Sequence, residues 1–189
     1  MGPLDHIIPH YVLDVNITGP FPKGNEIVLF GMGCFWGAER LFWNLSGVDV
    51  TAVGYAGGNV KNPTYKEICT GTTNHSEVVL INYNPNEIKF ETLLEIFLEN
   101  HDPTQGNRQG NDVGSQYRSC IYTTIKSQME LVTTKLKRFQ KSLYENKFGE
   151  ITTELKEDVE FYYAEEYHQQ YLAKNPNGYC GIRGTGVTC

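Results

Sequence analysis

The run Ile27-Val28-Leu29-Phe30 is apolar at every position and is cut off by Gly31 and Gly33. With no polar alternation, it suits a central strand buried on both faces, which requires packed layers above and below it. Helical spacing follows almost at once. Ala38, Leu41, Phe42 and Leu45 fall near one face of a helix predicted from Phe35 to Asn44. The chain therefore begins its core with a strand that turns into a helix.

The same grammar continues. Val48 to Tyr55 reads as a second strand, ended by Gly57-Gly58. Glu77 to Tyr83 reads as a third, ended by Asn84-Pro85. Phe90, Leu93, Leu94, Phe97, Leu98 and His101 keep i, i+3, i+4, i+7 spacing, so a helix is predicted there, stopped by Asp102-Pro103. Tyr117 to Thr123 is a predicted strand. Ser127-x-x-Glu130 reads as a capping box that opens a long amphipathic helix through Met129, Val132, Leu136, Phe139 and Leu143. Ile151 to Leu155 is a predicted strand and Glu165 to Lys174 a predicted helix. Strands alternating with helices favour an α/β (α+β) chain, a two-layer sandwich with helices on a mixed β-sheet. Three parts are expected: an arm over residues 1–25, a catalytic domain over 26–174 and a glycine-rich arm over 175–189. Pro3, Pro9, Pro20 and Pro22 mark the first arm, which is expected to wrap the domain or stay partly disordered.

Bulk numbers remove several function classes. A chain of 189 residues can bury a sizeable core. Its 16 basic and 22 acidic residues give a net charge of −6, and no Lys/Arg cluster offsets it, which argues against nucleic acid. No apolar run is long enough to span a bilayer, and the first residues lack a signal-peptide core, so the cytosol is the expected location. Met1-Gly2 begins like a myristoylation site, but Pro3 and His6 break the pattern. The Asn-x-Ser/Thr matches at Asn16, Asn44 and Asn74 carry weight only in a secreted chain. Five widely spaced cysteines do not form a secreted disulfide framework. No dimer signal is evident, and a monomer is the default.

Chemistry concentrates around Cys34. A thiol at a strand-to-helix turn faces unpaired backbone N–H groups, which should lower its pKa; the bland alternative is a buried structural cysteine. Phe35 and Trp36 follow it. Adjacent side chains at a helix start diverge, so one is expected to line the thiol's surroundings and receive an apolar group. Glu77 opens a strand that is apolar on both faces, so its carboxyl should be desolvated, raised in pKa and able to donate a proton. A solvated strand-edge glutamate is the alternative. The polar, glycine-punctuated stretch from Asn100 to Asp112 is a candidate functional loop, in which Asp112 could orient polar groups or merely cap a turn. Cys180 and Cys189 are separated by eight residues, three of them glycine. That is neither a zinc spacing nor a Cys-x-x-Cys turn. A flexible arm with two thiols could reach an oxidised Cys34 and carry its disulfide outward; incidental cysteines in a loose tail are the alternative. His75, His101 and His168 are scattered and form no metal motif. Two other classes stay open: a Cys34–His hydrolase or acyltransferase, and a non-catalytic module binding methyl-bearing peptides through Phe35 and Trp36.

Ordered blocks then narrow the field: Gly33-Cys34-Phe35-Trp36-Gly37, Gly54-Tyr55-x-Gly57-Gly58, Asn62-Pro63-Thr64-Tyr65, Asn74-His75-Ser76-Glu77, His101-Asp102-Pro103-Thr104-Gln105, Gln109-Gly110-Asn111-Asp112, Gln116-Tyr117-Arg118-Ser119, Tyr167-His168-Gln169-Gln170 and Gly178-Tyr179-Cys180-Gly181. Together they resemble peptide methionine sulfoxide reductases of the A type over roughly Glu26 to Cys189. The resemblance implies a ferredoxin-like split β-α-β core with a long coiled C-terminal arm. It implies that Cys34 attacks the sulfoxide sulfur and that Glu77 protonates the oxygen. Tyr65 and Tyr117 would hydrogen-bond that oxygen, Phe35 and Trp36 would hold the S-methyl group, and Asp112 would contact the substrate backbone or the site's water network. It further implies a sulfenic acid on Cys34, a disulfide relay from Cys34–Cys180 to Cys180–Cys189, and thioredoxin as reductant. No metal, flavin or nicotinamide is expected on the protein. The substrates would be methionine-S-sulfoxide, free and in proteins. Cys69 and Cys120 have no role in this scheme and are expected to be structural. The family's arm varies in length and cysteine number, and the carboxylate of Cys189 would raise the pKa of its own thiol.

Overall fold

The computed structural model describes residues 8–189. The Met1-Gly2 start, with Pro3 and His6, lies outside the described residues.

The first apolar run forms β1 (Glu26–Met32), followed by α1 (Phe35–Arg40) and β2 (Val48–Ala56). A short helix, α2 (Tyr65–Cys69), precedes β3 (Ser76–Tyr83) and α3 (Phe90–Asn100). A small hairpin, β4 (Arg108–Gln109) and β5 (Asp112–Val113), is followed by a 3-10 turn at Ser115–Tyr117 and by β6 (Ser119–Thr123). The chain continues through α4 (Lys126–Glu145), β7 (Glu154–Glu157), β8 (Phe161–Tyr163), a 3-10 turn at Glu166–His168 and α5 (Tyr171–Lys174). Beyond α5 the described chain has no regular element.

Among the described residues one mixed sheet has the order β7-β6-β1-β3-β2-β8. β1 sits near its centre, antiparallel to both β3 and β6, while β7 runs parallel to β6. The β1-α1-β2 unit straddles β3, which is the expected split β-α-β arrangement. Alternation assigns the faces. Val28, Phe30, Val79, Ile81 and Ile121 point to the side covered by α3 and α4, while Leu29, Val78, Leu80 and Cys120 point to the side where Ile8 and Ile17 pack. Burial on both faces is why β1 needed no polar alternation. Phe30 is fully buried and meets Phe97 and Phe42 at ring-centroid distances of 4.8 and 5.7 Å. Phe30→Ala should cost about 3–5 kcal/mol in a urea unfolding titration; a loss below about 1 kcal/mol would contradict this packing.

Several local expectations are corrected. The capping box lies at Thr64–Glu67, where both reciprocal bonds form, and not at Ser127–Glu130. α4 begins behind Ile125 with no side-chain cap, because Gln128 turns inward to donate to Tyr83 Oη and the Ile27 carbonyl. The strand expected at Ile151 begins at Glu154, and the one expected at Tyr117 begins at Ser119 after a 3-10 turn. The helix expected from Phe35 to Asn44 closes at Arg40 and continues as turns. The helix expected over Glu165–Lys174 is broken at Gln170, which has φ +47°.

That break has a cause. The Gln169 amide accepts from Val53 N–H and donates to the Val53 carbonyl, each at 2.9 Å, closing the edge of β2 beyond its β8 partner. Gln170 is held by buried Glu39 on α1: its backbone N–H donates to Oε2 at 2.8 Å and its side-chain amide to Oε1 at 2.7 Å. Thr51 donates to the same carboxylate at 2.8 Å, and His10 from the N-terminal segment bonds to Thr51 at 2.9 Å. Burial pushes the Glu39 carboxyl up to about 7, and burial pulls His10 down to about 4.

Candidate active site

β1 ends at Met32, and Gly33 makes the turn with φ +92°. Only glycine fits there, since a Cβ would stand 2.6 Å from Gln109 Cβ. Cys34 then occupies the N-cap of α1 and is 8% exposed. Glu77 enters from β3, opposite Tyr55 of β2 and on the face of Val79 and Ile81. It is 2% exposed, and its Oε2 accepts from Phe35 N–H at 3.1 Å. Burial pushes the Glu77 carboxyl up to about 8. The Phe35 N–H opposes this, and the charge of Asp112 adds to it. The expected desolvated carboxyl is therefore present.

The expected low-pKa thiol is not. Burial raises Cys34 well above the ordinary thiol range, and the charge of Glu77 raises it further. The backbone N–H groups of Trp36 and Gly37 pull the other way and lose. Two groups that both resist ionisation thus share a protein-lined corner.

The adjacent aromatics diverge as expected. Phe35 is buried against Tyr55 and His168, at 5.9 and 5.1 Å between centroids. Trp36 is half-buried, stacks on Tyr171 at 3.8 Å and 16°, and donates from Nε1 to His168 Nδ1 at 3.0 Å. Tyr65 opens α2, donates its backbone N–H to Glu165 Oε1 at 2.8 Å and meets the His168 ring edge-on at 4.6 Å. Burial holds the Tyr65 phenol protonated, helped by its hydrogen bond with Cys69. Tyr117 ends the 3-10 turn, and burial followed by the charges of Glu77 and Asp112 keeps its phenol protonated. Both are O–H donors at neutral pH. Asp112 on β5 is raised by burial and accepts from Tyr179 Oη at 3.1 Å.

The C-terminal arm crosses this site. A side chain on Gly37 would meet Cys180 Sγ at 2.8 Å, so α1 offers the arm a bare surface beside Cys34. Arg40 Nη2 donates to Cys180 Sγ at 3.2 Å. Cys189 lies elsewhere. Its backbone N–H donates to Glu99 Oε1 at 2.8 Å, and it lines a cleft of about 130 Å³ with Lys135, Arg138, Phe139 and Ser142. Its thiol is pushed up to about 11, by burial and then by the charge of Glu99.

Cys34, Glu77, Phe35, Trp36, Tyr65, Tyr117 and Asp112 thus converge, Cys180 lies against their helix, and Cys189 does not join them. Among the described residues no group of three or more His, Cys, Asp or Glu is placed to hold a metal ion. Over most of its length, residues 26–187, the sequence matches the family profile described as peptide methionine sulfoxide reductase.

The chain belongs to that family.

The human mitochondrial peptide methionine sulfoxide reductase is 58% identical over 180 residues, 95% of this chain and 77% of that protein. The solved methionine sulfoxide reductase A of Corynebacterium diphtheriae is 45% identical, with a TM-score of 0.89 over 100% of this chain and 92% of that one. Mxr1 of Saccharomyces cerevisiae, solved in complex with Trx2, shares the fold at 20% identity and a TM-score of 0.56, over 86% of this chain and 91% of that one. The protein is a methionine sulfoxide reductase of the A type, an oxidoreductase.

Some site residues escaped the sequence reading. Tyr55, Glu165, His168 and Tyr171 build the wall behind Phe35, Trp36 and Tyr65. The Tyr167-His168-Gln169-Gln170 block marked the region but not the contacts. Cys120 is buried as expected, whereas Cys69 is exposed at the site's rim.

Proposed function

We propose that this reductase acts on methionine-S-sulfoxide, free and in polypeptides, with Cys34 as nucleophile and Glu77 as proton donor. The observation that carries the reading is a buried thiol at the start of α1 beside a buried carboxyl from β3, whose Oε2 accepts from the adjoining Phe35 N–H at 3.1 Å; burial pushes that carboxyl up to about 8. Sulfoxide reduction needs both: a sulfur nucleophile, and a proton for an oxygen that otherwise leaves poorly.

The step runs as follows. The Cys34 thiolate bonds to the sulfoxide sulfur while the Glu77 proton passes to the oxygen, with Tyr65 and Tyr117 donating to it. The hydroxyl then passes to Cys34 sulfur as the S–O bond and the new S–S bond break, the S–S electron pair staying on the substrate sulfur, so the sulfoxide is reduced by two electrons to methionine and Cys34 is oxidised to a sulfenic acid. Phe35 and Trp36 receive the S-methyl group, and Asp112 faces the substrate backbone or its water. Ionising Cys34 is easier when Glu77 holds its proton, since the neighbouring charge is then gone.

Regeneration uses the arm. Cys180 thiol and Cys34 sulfenic acid give a disulfide and water. Cys189 then takes over Cys180 and frees Cys34, and a thioredoxin dithiol reduces the Cys180–Cys189 bond while becoming a disulfide itself. The contact of Cys180 with α1 supports the first exchange. The second requires the arm to leave its berth at Glu99. No metal or organic cofactor is needed for any step. We propose a monomer working in a reducing, cytosolic setting on oxidatively damaged proteins.

Reduced protein, dithiothreitol and racemic dabsyl-methionine sulfoxide should consume half the substrate, all of one epimer. No turnover, or loss of the other epimer, would overturn the reading. A hydrolase would form product without consuming reductant. Cys180→Ser should still yield about one methionine per enzyme with no added reductant, yet show background rates with thioredoxin. Undiminished thioredoxin-driven turnover would refute the relay.

A further inference from the structure

We infer that His168 is a positioning residue for the substrate pocket: its Nδ1 pins the Trp36 indole and thereby sets the size of the S-alkyl group admitted. This rests on the proposal that Trp36 faces that alkyl group.

His168 is 1% exposed, and Nε2 has no hydrogen-bond partner in the protein. The nearest carboxylate oxygen, Glu165 Oε2, stands 4.0 Å away, beyond hydrogen-bond length. An imidazole that served only to fill space would leave this donor stranded for nothing. A phenyl ring would fill the same volume without that cost.

The other nitrogen supplies the reason for histidine. Indole Nε1–H only donates, so Nδ1 must be its unprotonated acceptor, and the ring hydrogen sits on Nε2. Glu165 faces that hydrogen and is itself immobilised by Tyr55 Oη and Tyr65 N–H, each at 2.8 Å. The carboxylate therefore favours the tautomer in which Nδ1 can accept. Burial pulls His168 down to about 4, against the raising influence of Glu165, so Nδ1 stays an acceptor at neutral pH.

Stacking alone would not fix the indole. The Tyr171 face defines its plane but permits sliding and in-plane rotation. The Nε1–H to Nδ1 bond removes that freedom. The same imidazole touches Phe35 and the edge of Tyr65. It is a common post for the apolar and hydroxyl-bearing walls of the pocket.

The test compares methionine-S-sulfoxide with its S-ethyl homologue, ethionine-S-sulfoxide, under dithiothreitol. It uses His168→Phe, which keeps a ring but removes the acceptor, and His168→Asn, which retains an acceptor oxygen. His168→Phe should raise KM for the methyl substrate more than it lowers kcat, and should narrow methyl-over-ethyl discrimination by about tenfold. His168→Asn should recover part of both. The Trp36 indole N–H resonance of 15N-labelled protein should move in the Phe variant and return toward wild type in the Asn variant. Unchanged discrimination with an unmoved resonance would overturn the inference, as would equal losses in the two variants. If His168→Phe fails to fold, wild-type-like discrimination with a displaced resonance in His168→Asn overturns it. A wild-type protein inert toward both sulfoxides would instead sink the proposed function, and the resonance would still report on the indole.

Discussion

Cys34→Ser should reduce methionine sulfoxide turnover to background, a fall on the order of 10⁵-fold or more, comparable to removal of other nucleophiles. A hydroxyl is a far weaker acid and nucleophile toward sulfur than a thiol. The substitution is unusually clean here. Cys34 sits at the N-cap of α1 without making a side-chain cap bond, and serine is among the preferred residues at such a position. Thermal stability should stay the same or rise while activity vanishes. The check is a dithiothreitol-driven assay beside a melting curve. Turnover retained at a tenth of wild type would remove Cys34 from the nucleophile's role.

Glu77→Gln should slow the sulfoxide step by about 10²–10⁴-fold, the usual contribution of a positioned acid. Its pH behaviour is more diagnostic. In the proposed step the competent pair carries one proton, with sulfur ionised and the carboxyl neutral. Below the pair's first ionisation both groups are protonated, so the wild-type rate should climb with pH and bend near the Glu77 value of about 8. The variant should lack that bend. Stability should move the other way. Between the ordinary glutamate value of 4.5 and about 8, the folded protein holds a proton that the unfolded chain has lost, so wild-type stability falls as pH rises through that window. Glu77→Gln should flatten this slope and be the more stable protein at pH 7. Denaturant midpoints from pH 4.5 to 8 measure it. A variant as pH-sensitive as wild type would mean that Glu77 ionises as freely in the fold as outside it.

What was legible in the sequence was what depends on neighbours along the chain. β1 announced itself because a strand buried on both faces has no polar alternation to hide in. Glu77 was readable as a desolvated acid because apolar residues follow it on both faces of β3. What failed was decided by distant partners. The local pattern misplaces the cap of α4 because Gln128 is drawn to Tyr83, 45 residues away. The predicted last helix broke because Gln170 answers to Glu39 across 131 residues. The N-terminal amides of α1 taken alone predict a depressed pKa for Cys34. The carboxyl that opposes them arrives from β3, and the burial that outweighs them comes from the whole fold.

The Glu39 contact carries one more implication. The family match begins at residue 26, yet His10 reaches Thr51, which holds the Glu39 carboxylate on the helix that starts at Cys34. Tyr11 N–H donates at 3.1 Å to Gln170, which itself donates to the same carboxylate. The N-terminal segment therefore works as a splint applied from outside the residues that the family profile matches. A change in that segment would therefore shift the footing of the helix capped by Cys34 while leaving every residue around the thiol in place.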